Sequence, residues 1–241
     1  MGPLTLQEVA GQISEMGQVP VPHTGDARYA MDSAGRRWVR KLEAVAGADV
    51  IRAEALGWLV SRLLKAPVPD GAVATQAPRA WLSEYLPDVV SWEDGYGPRI
   101  ANKDEFAAML VGDVLLLNED RHERNILVRA DKQGTLQVWS IDLGGAWIGS
   151  IHTFIEKVEQ DALPSTAALA VGIPFRDLAQ KMRKVAAEAA AIPASELTAL
   201  AREGCKLFQS DATALGSALV DRFSAAEGLI EMYLQHVGED Q

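Results

Sequence analysis

The densest run of reactive side chains in the chain is Asn118-Glu119-Asp120-Arg121-His122-Glu123-Arg124-Asn125. A carboxylate such as Asp120 can orient an incoming hydroxyl and accept its proton. Asn125, five residues on, offers a neutral amide oxygen. Seventeen residues beyond Asn125 comes Asp142, within Ile141-Asp142-Leu143-Gly144-Gly145, which adds a second carboxylate. A hairpin between these segments can bring Asn125 and Asp142 to one rim. One carboxylate and one amide oxygen suit a hard cation, because Mg²⁺ takes few protein oxygens and keeps water and phosphate oxygens around it. Upstream, Val39 and Lys41 share one face of a strand, since side chains alternate there. A lysine so placed can set a fixed positive charge against phosphate oxygens. It needs an acidic partner, and Glu54 in the next helix is favoured over Glu43, because the face that carries Glu54 turns inward.

The elements that must position these residues follow from apolar spacing and turn chemistry. Met1–Met16 has roughly helical spacing. Ala27–Asp32 and Arg36–Leu42 read as strands joined by the turn residues Asp32-Ser33-Ala34-Gly35. Ala48–Leu64 carries a wide apolar stripe and reads as a helix that Pro67 and Pro69 end. Gly71–Thr75 and Ala80–Leu86 are two further strands, and Pro87–Pro98 is a connector. Lys103–Leu117 is helical, with Asp104 as its expected N-cap. Ile126–Arg129 and Thr135–Ile141 form a second hairpin, and from Ile148 onward the pattern is helical. Strands with one embedded helix, then a helix, a small hairpin and more helices make an α+β chain in two lobes.

Taken singly, Asp120, Asn125 and Asp142 are ordinary turn residues. Taken together, the order Lys, Glu, Asp, Asn, Asp makes a phosphoryl-transfer set. Asn118–Asn125 fits the pattern N-x-D-x-H-x-x-N of HipA-like kinases, and Asp120-Arg121-His122 with Asn125 also fits the D-R-H-x-x-N loop of the phosphatidylinositol 3-/4-kinase family. Ile141-Asp142-Leu143-Gly144 resembles that family's I-D-F-G and the D-F-G of protein kinases, with Leu143 in place of Phe. The likeness runs in chain order from Val21 to Trp147.

This resemblance implies a protein-kinase-like fold. Residues 1–87 would form a β-rich N-lobe that binds nucleotide, and 88–241 a C-lobe with the catalytic loop, the metal site and a helical acceptor region. ATP and Mg²⁺ are the implied cofactors. Asp120 is implied as the catalytic base, and His122 as a second candidate base or a residue that holds the loop. Asn125 and Asp142 are implied as metal ligands, and Lys41 as the lysine on the phosphates with Glu54 as its partner. Gly25, within His23-Thr24-Gly25-Asp26-Ala27, stands where the phosphate-covering loop belongs, although neither G-x-G-x-x-G nor G-x-x-x-x-G-K-[ST] occurs. Glu84 and Leu86 stand at the adenine hinge, whose bonds come from backbone groups. The implied reaction moves the γ-phosphoryl group of ATP to a hydroxyl, with Ser or Thr of a protein or peptide as the HipA-like acceptor. A metabolite or antibiotic hydroxyl is the alternative acceptor. A nucleotide-binding pseudokinase or interaction module is a second alternative, favoured by the weak glycine loop.

Composition bounds these readings. Hydrophobic residues are 48% and charged residues 23% of 241, a globular balance that excludes disorder over most of the length. The net charge of −10 is spread over both halves and leaves no basic face for nucleic acid or an anionic membrane. The lone cysteine, Cys205, excludes an intrachain disulfide and fits a reducing, cytoplasmic setting. No signal peptide and no run of 18 apolar residues is present. The length accommodates a compact two-lobed kinase without the extra N-terminal domain of full-length HipA proteins.

Overall fold

The computed structural model describes residues 4–18, 27–76, 78–146, 175–206, 208 and 211–239. Its first layer is a six-stranded sheet built by β1 (Gln7–Val9), β2 (Ser14–Gln18), β3 (Ala27–Met31), β4 (Arg37–Leu42), β5 (Gly71–Ala74) and β6 (Ala80–Glu84), in the order β1-β5-β6-β4-β3-β2. The β3–β4 hairpin is tied by its turn: Asp32 Oδ1 accepts the N–H groups of Ala34 and Arg36, each at 2.9 Å. Its other oxygen accepts the indole N–H of the fully buried Trp38.

The helical spacing over Met1–Met16 is overridden. The segment forms β1, parallel to β5, and β2, antiparallel to β3. Gly11 and Gly17 break a helix there, and Gly17 has φ 139°, outside any helical conformation. Ladder pairing with neighbouring strands satisfies the same backbone groups.

Helices α1 (Glu43–Ala46) and α2 (Ala48–Leu63) follow β4. From Ile51 onward α2 buries residues on nearly every side, because it lies between the sheet and the helices α3 (Lys103–Leu116) and α5 (Ala194–Cys205). A small antiparallel sheet of β7 (Val90–Ser91), β8 (Ile126–Ala130) and β9 (Leu136–Ser140) has the order β7-β8-β9 and follows the connector and α3. The expected cap at Asp104 is displaced. Asn102 precedes the helix, and its amide pairs with the backbone of Val138 rather than capping α3. Asp104 lies in the first turn and pairs with Lys181. Helices α4 (Phe175–Ala190), α6 (Ala212–Ser224) and α7 (Ala226–Glu239) complete the C-terminal region with α5. Residues 148–174 of the expected helical stretch lie outside the described residues.

One buried cluster runs from Leu6 through α2 and α3 to Tyr233 and Leu234. A smaller cluster of Trp38, Ala72, Ala74, Ala80 and Leu82 lies within the large sheet. Gly204 lets α5 come close to α2, since a Cβ there would stand 3.0 Å from Leu56 Cδ1. Leu6 donates its N–H to Glu203 at 2.9 Å, and Lys206 pairs with Glu8 at 2.9 Å. Among the described residues no helix is long and apolar enough to cross a membrane.

Candidate active site

Three ionic side chains from three elements meet. Lys41 on β4 places Nζ 2.5 Å from Glu54 Oε1 on α2 and 2.6 Å from Asp142 Oδ1, just past β9. Glu54 is 2% exposed, and its second oxygen accepts the Leu143 N–H at 3.0 Å. One carboxylate therefore fixes both the lysine and the segment that carries Asp142. Glu43, the rival partner, faces Arg79 instead. Burial alone would push the Lys41 ammonium down; the Glu54 and Asp142 carboxylates reverse this and hold it well above the ordinary lysine value. Burial raises Glu54, with the Asp142 charge adding to it against the pull of Lys41. For Asp142 the upward push of burial is overcome by Lys41, by Arg121 and by the Gly144 N–H, so it stays below the ordinary carboxylate range. Two carboxylates around one ammonium leave a surplus negative charge at the partly exposed Asp142.

Asp142 has φ 57°, the left-handed region, which for a non-glycine residue stores on the order of 1–3 kcal/mol. Two glycines then let the chain thread a narrow gap. A Cβ on Gly144 would stand 2.9 Å from Val50 Cγ1, and one on Gly145 would stand 2.9 Å from Asp120 Cβ. The Asp142 segment is thus wedged between α2 and the loop of Asp120.

That loop is built on the end of α3. Leu117, at φ 50°, closes the helix, and the Asn118 N–H donates to the Asp113 carbonyl at 2.9 Å. Asn125 is 4% exposed, and its Nδ2 donates to the Asp120 carbonyl at 2.8 Å, which leaves Oδ1 as the acceptor of the amide. Its backbone carbonyl accepts the Ile141 N–H at 3.0 Å, so the two motif segments are joined directly.

Lys41, Glu54, Asn125 and Asp142 line one cleft of about 290 Å³ together with Glu84 and Leu86. Its walls include Tyr29, Trp58, Trp81 and Tyr85. Tyr29 packs edge-on to Tyr85 at 5.3 Å, and Trp58 packs edge-on to Trp81 at 6.3 Å. Asp120 is not among the lining residues. Its side chain is 63% exposed and stands beside the cleft against Gly145. His122 does not line it either: its Nδ1 accepts the Arg124 N–H at 3.2 Å, and its Nε2 lies 3.9 Å from Asp120 Oδ1. That geometry fits a residue that holds the loop. Gly25 lies outside the described residues.

The proinflammatory kinase CtkA of Helicobacter pylori aligns over 99% of this chain and 100% of its own, with a TM-score of 0.59 at 13% identity. The chain has a protein-kinase-like fold. HipA of Shewanella oneidensis, solved with HipB and operator DNA, covers 99% of this chain and 67% of its own at TM-score 0.46 and 13% identity. A MAP kinase of Leishmania major gives TM-score 0.30 at 12% identity over 93% of this chain and 83% of its own. No protein-family model and no curated protein matches the chain.

In this kinase-like frame one residue escaped the sequence reading. Asp113 is 2% exposed, and it accepts from Arg121 and Asn118, both also buried. The signal was present: Asp113 is the sole charge in the apolar run from Phe106 to Leu117. A charge on a helix buried all round requires a partner.

Proposed function

We propose that this chain is an ATP- and Mg²⁺-dependent kinase that transfers the γ-phosphoryl group to a hydroxyl. The observation that carries the reading is the Lys41 ammonium held between Glu54 and Asp142 in the same cleft as Asn125. Residues 1–87 hold the nucleotide, while 88–241 supply the catalytic loop, the metal ligands and the acceptor side.

Asn125 and Asp142 are the residues that would hold Mg²⁺. The donor set fits: a carboxylate in a cluster with surplus negative charge and an amide whose oxygen is its acceptor, both hard ligands. The bound ion supplies neutralisation of phosphate charge. The remaining work belongs to the chain's own residues. Lys41 binds phosphate oxygens, and Glu54 keeps its ammonium in place. The aromatic walls and the backbone near Glu84 and Leu86 receive the base. Asp120, exposed at the cleft's edge, orients the acceptor hydroxyl and takes its proton, and His122 holds the loop that presents it. Positioning and electrostatics carry such a transfer.

The motif resemblance to HipA-like kinases supports Ser or Thr of a protein or peptide as the acceptor. The purified chain is incubated with γ-labelled ATP and Mg²⁺, alone and with extract fractions. Label on a protein band is the expected result. Label on a low-mass species moves the acceptor to a metabolite, and thermal stabilisation by Mg·ATP without transfer or hydrolysis overturns the kinase reading.

A further inference from the structure

Beneath the proposed metal ligands lies a buried polar cluster that the transfer chemistry above does not use. Arg121 is 1% exposed, and all of its hydrogen bonds run inward. Nε donates to Asp113 Oδ2 at 2.9 Å and Nη2 to Asp113 Oδ1 at 3.0 Å, a two-pronged pair that fixes the guanidinium plane. Nη1 donates to the Asn125 carbonyl at 2.8 Å and to the Ile141 carbonyl at 2.9 Å. Nη2 also donates to Ser140 Oγ at 2.7 Å. A single nitrogen thus grips the backbone of Asn125 and that of the residue before Asp142.

We propose that Asp113 and Arg121 are positioning residues that set the separation of Asn125 and Asp142 and thereby the affinity of the site for Mg²⁺ with ATP. The inference rests on the kinase reading above. Two features carry it. The carbonyls gripped by Nη1 belong to both ligand-bearing segments, which are otherwise distant in sequence. Asp113 also accepts from Asn118 twice, at Oδ1 from Nδ2 at 2.8 Å and at its carbonyl from the backbone N–H at 2.9 Å, so the anchor is tied to the point where α3 becomes the loop. A lysine cannot replace this arginine: one ammonium has no planar fork to span a carboxylate and two carbonyls.

The test is Arg121→Lys, with Asp113→Asn beside it, each first checked by circular dichroism to be folded at the assay temperature. The primary readout is ATP affinity by calorimetry as a function of Mg²⁺ concentration, and the second is the Mg²⁺ midpoint of turnover. Residues that orient metal ligands from behind change metal affinity by about 10–100-fold, so the Mg²⁺ midpoint should rise by about that factor while metal-free ATP affinity moves less than about threefold. A purely structural pair would lower the melting temperature and leave the Mg²⁺ midpoint of the folded protein unchanged. That result overturns the inference and leaves the kinase reading intact. If Arg121→Lys does not fold, Ser140→Ala removes one of the Nη2 contacts alone and should raise the midpoint in the same direction; an unchanged midpoint there overturns the inference equally. A wild-type chain that neither binds nor turns over Mg·ATP overturns the kinase reading and this inference together.

Discussion

Lys41 is the residue on which stability and the proposed activity meet. Methionine in its place keeps the volume but leaves Glu54 buried with no cation. Removing one partner of a buried ion pair costs about 3–5 kcal/mol, so Lys41→Met should melt well below wild type and lose transfer. Adding Glu54→Gln removes the stranded charge and should recover most of the stability, while transfer stays lost. Denaturant unfolding beside a turnover assay checks both, and a Lys41→Met chain as stable as wild type would contradict the ionic account. The participants Lys41, Glu54, Asn125 and Asp142 were legible because residue type, order and spacing carry chemistry directly. Asp113 was marked only as a lone charge in an apolar run; its partners Arg121 and Asn118 depend on how the helix and the loop pack. Asp120 and His122 were legible as motif letters, but their placement beside the cleft rather than in its lining was set by how Gly145 and Asn125 shape the loop.

Two glycines on helices separate local preference from packing. A Cβ on Gly57 in α2 would stand 2.7 Å from Leu143 Cβ, whereas one on Gly112 in α3 meets only Leu64 Cδ1 at an ordinary 3.6 Å. Alanine gains about 1 kcal/mol over glycine inside a helix, while overpacking costs about 1–3 kcal/mol. Gly112→Ala should therefore stabilise by up to about 1 kcal/mol and leave transfer unchanged. Gly57→Ala should be neutral to destabilising by about 2 kcal/mol, and it should lose transfer because Leu143 carries its neighbour Asp142 away from Lys41. Equal behaviour of the two variants in melting and turnover would contradict this. The same contrast explains where the elements were legible. The helix at Ala48–Leu64 and both hairpins showed periodicity and turn residues strong enough to read. At the N-terminus, apolar spacing suited a helix, but β1 pairs with β5, far along the chain, and that partner leaves no trace in the segment itself. Asn102, rather than Asp104, precedes α3, and its amide bonds Val138, far along the chain, instead of capping the helix.

Across the whole molecule, α2 is the element that joins the parts. It packs on the sheet, on α3 and on α5, and the main buried cluster is continuous through it. The sheet-rich and helical regions should therefore unfold together, with the midpoints from tryptophan fluorescence and from far-ultraviolet circular dichroism coinciding. Two separated midpoints would contradict a shared core. The α+β order was readable from the chain, but the clasp of α5 on α2 was not, because it rests on the small volume of Gly204 against Leu56, a residue in a distant part of the sequence. That clasp packs against Leu56 and Leu59 of α2, the same helix that carries Glu54. The most direct test of the central claim is phosphoryl transfer from γ-labelled ATP by the wild type, Asp120→Ala and Asp142→Ala, with Mg·ATP affinity measured alongside. A positioned base contributes about 10²–10⁴-fold. The account predicts transfer by the wild type, a loss of at least that order in both variants, and weakened Mg·ATP binding in Asp142→Ala alone; full turnover by both variants would contradict it.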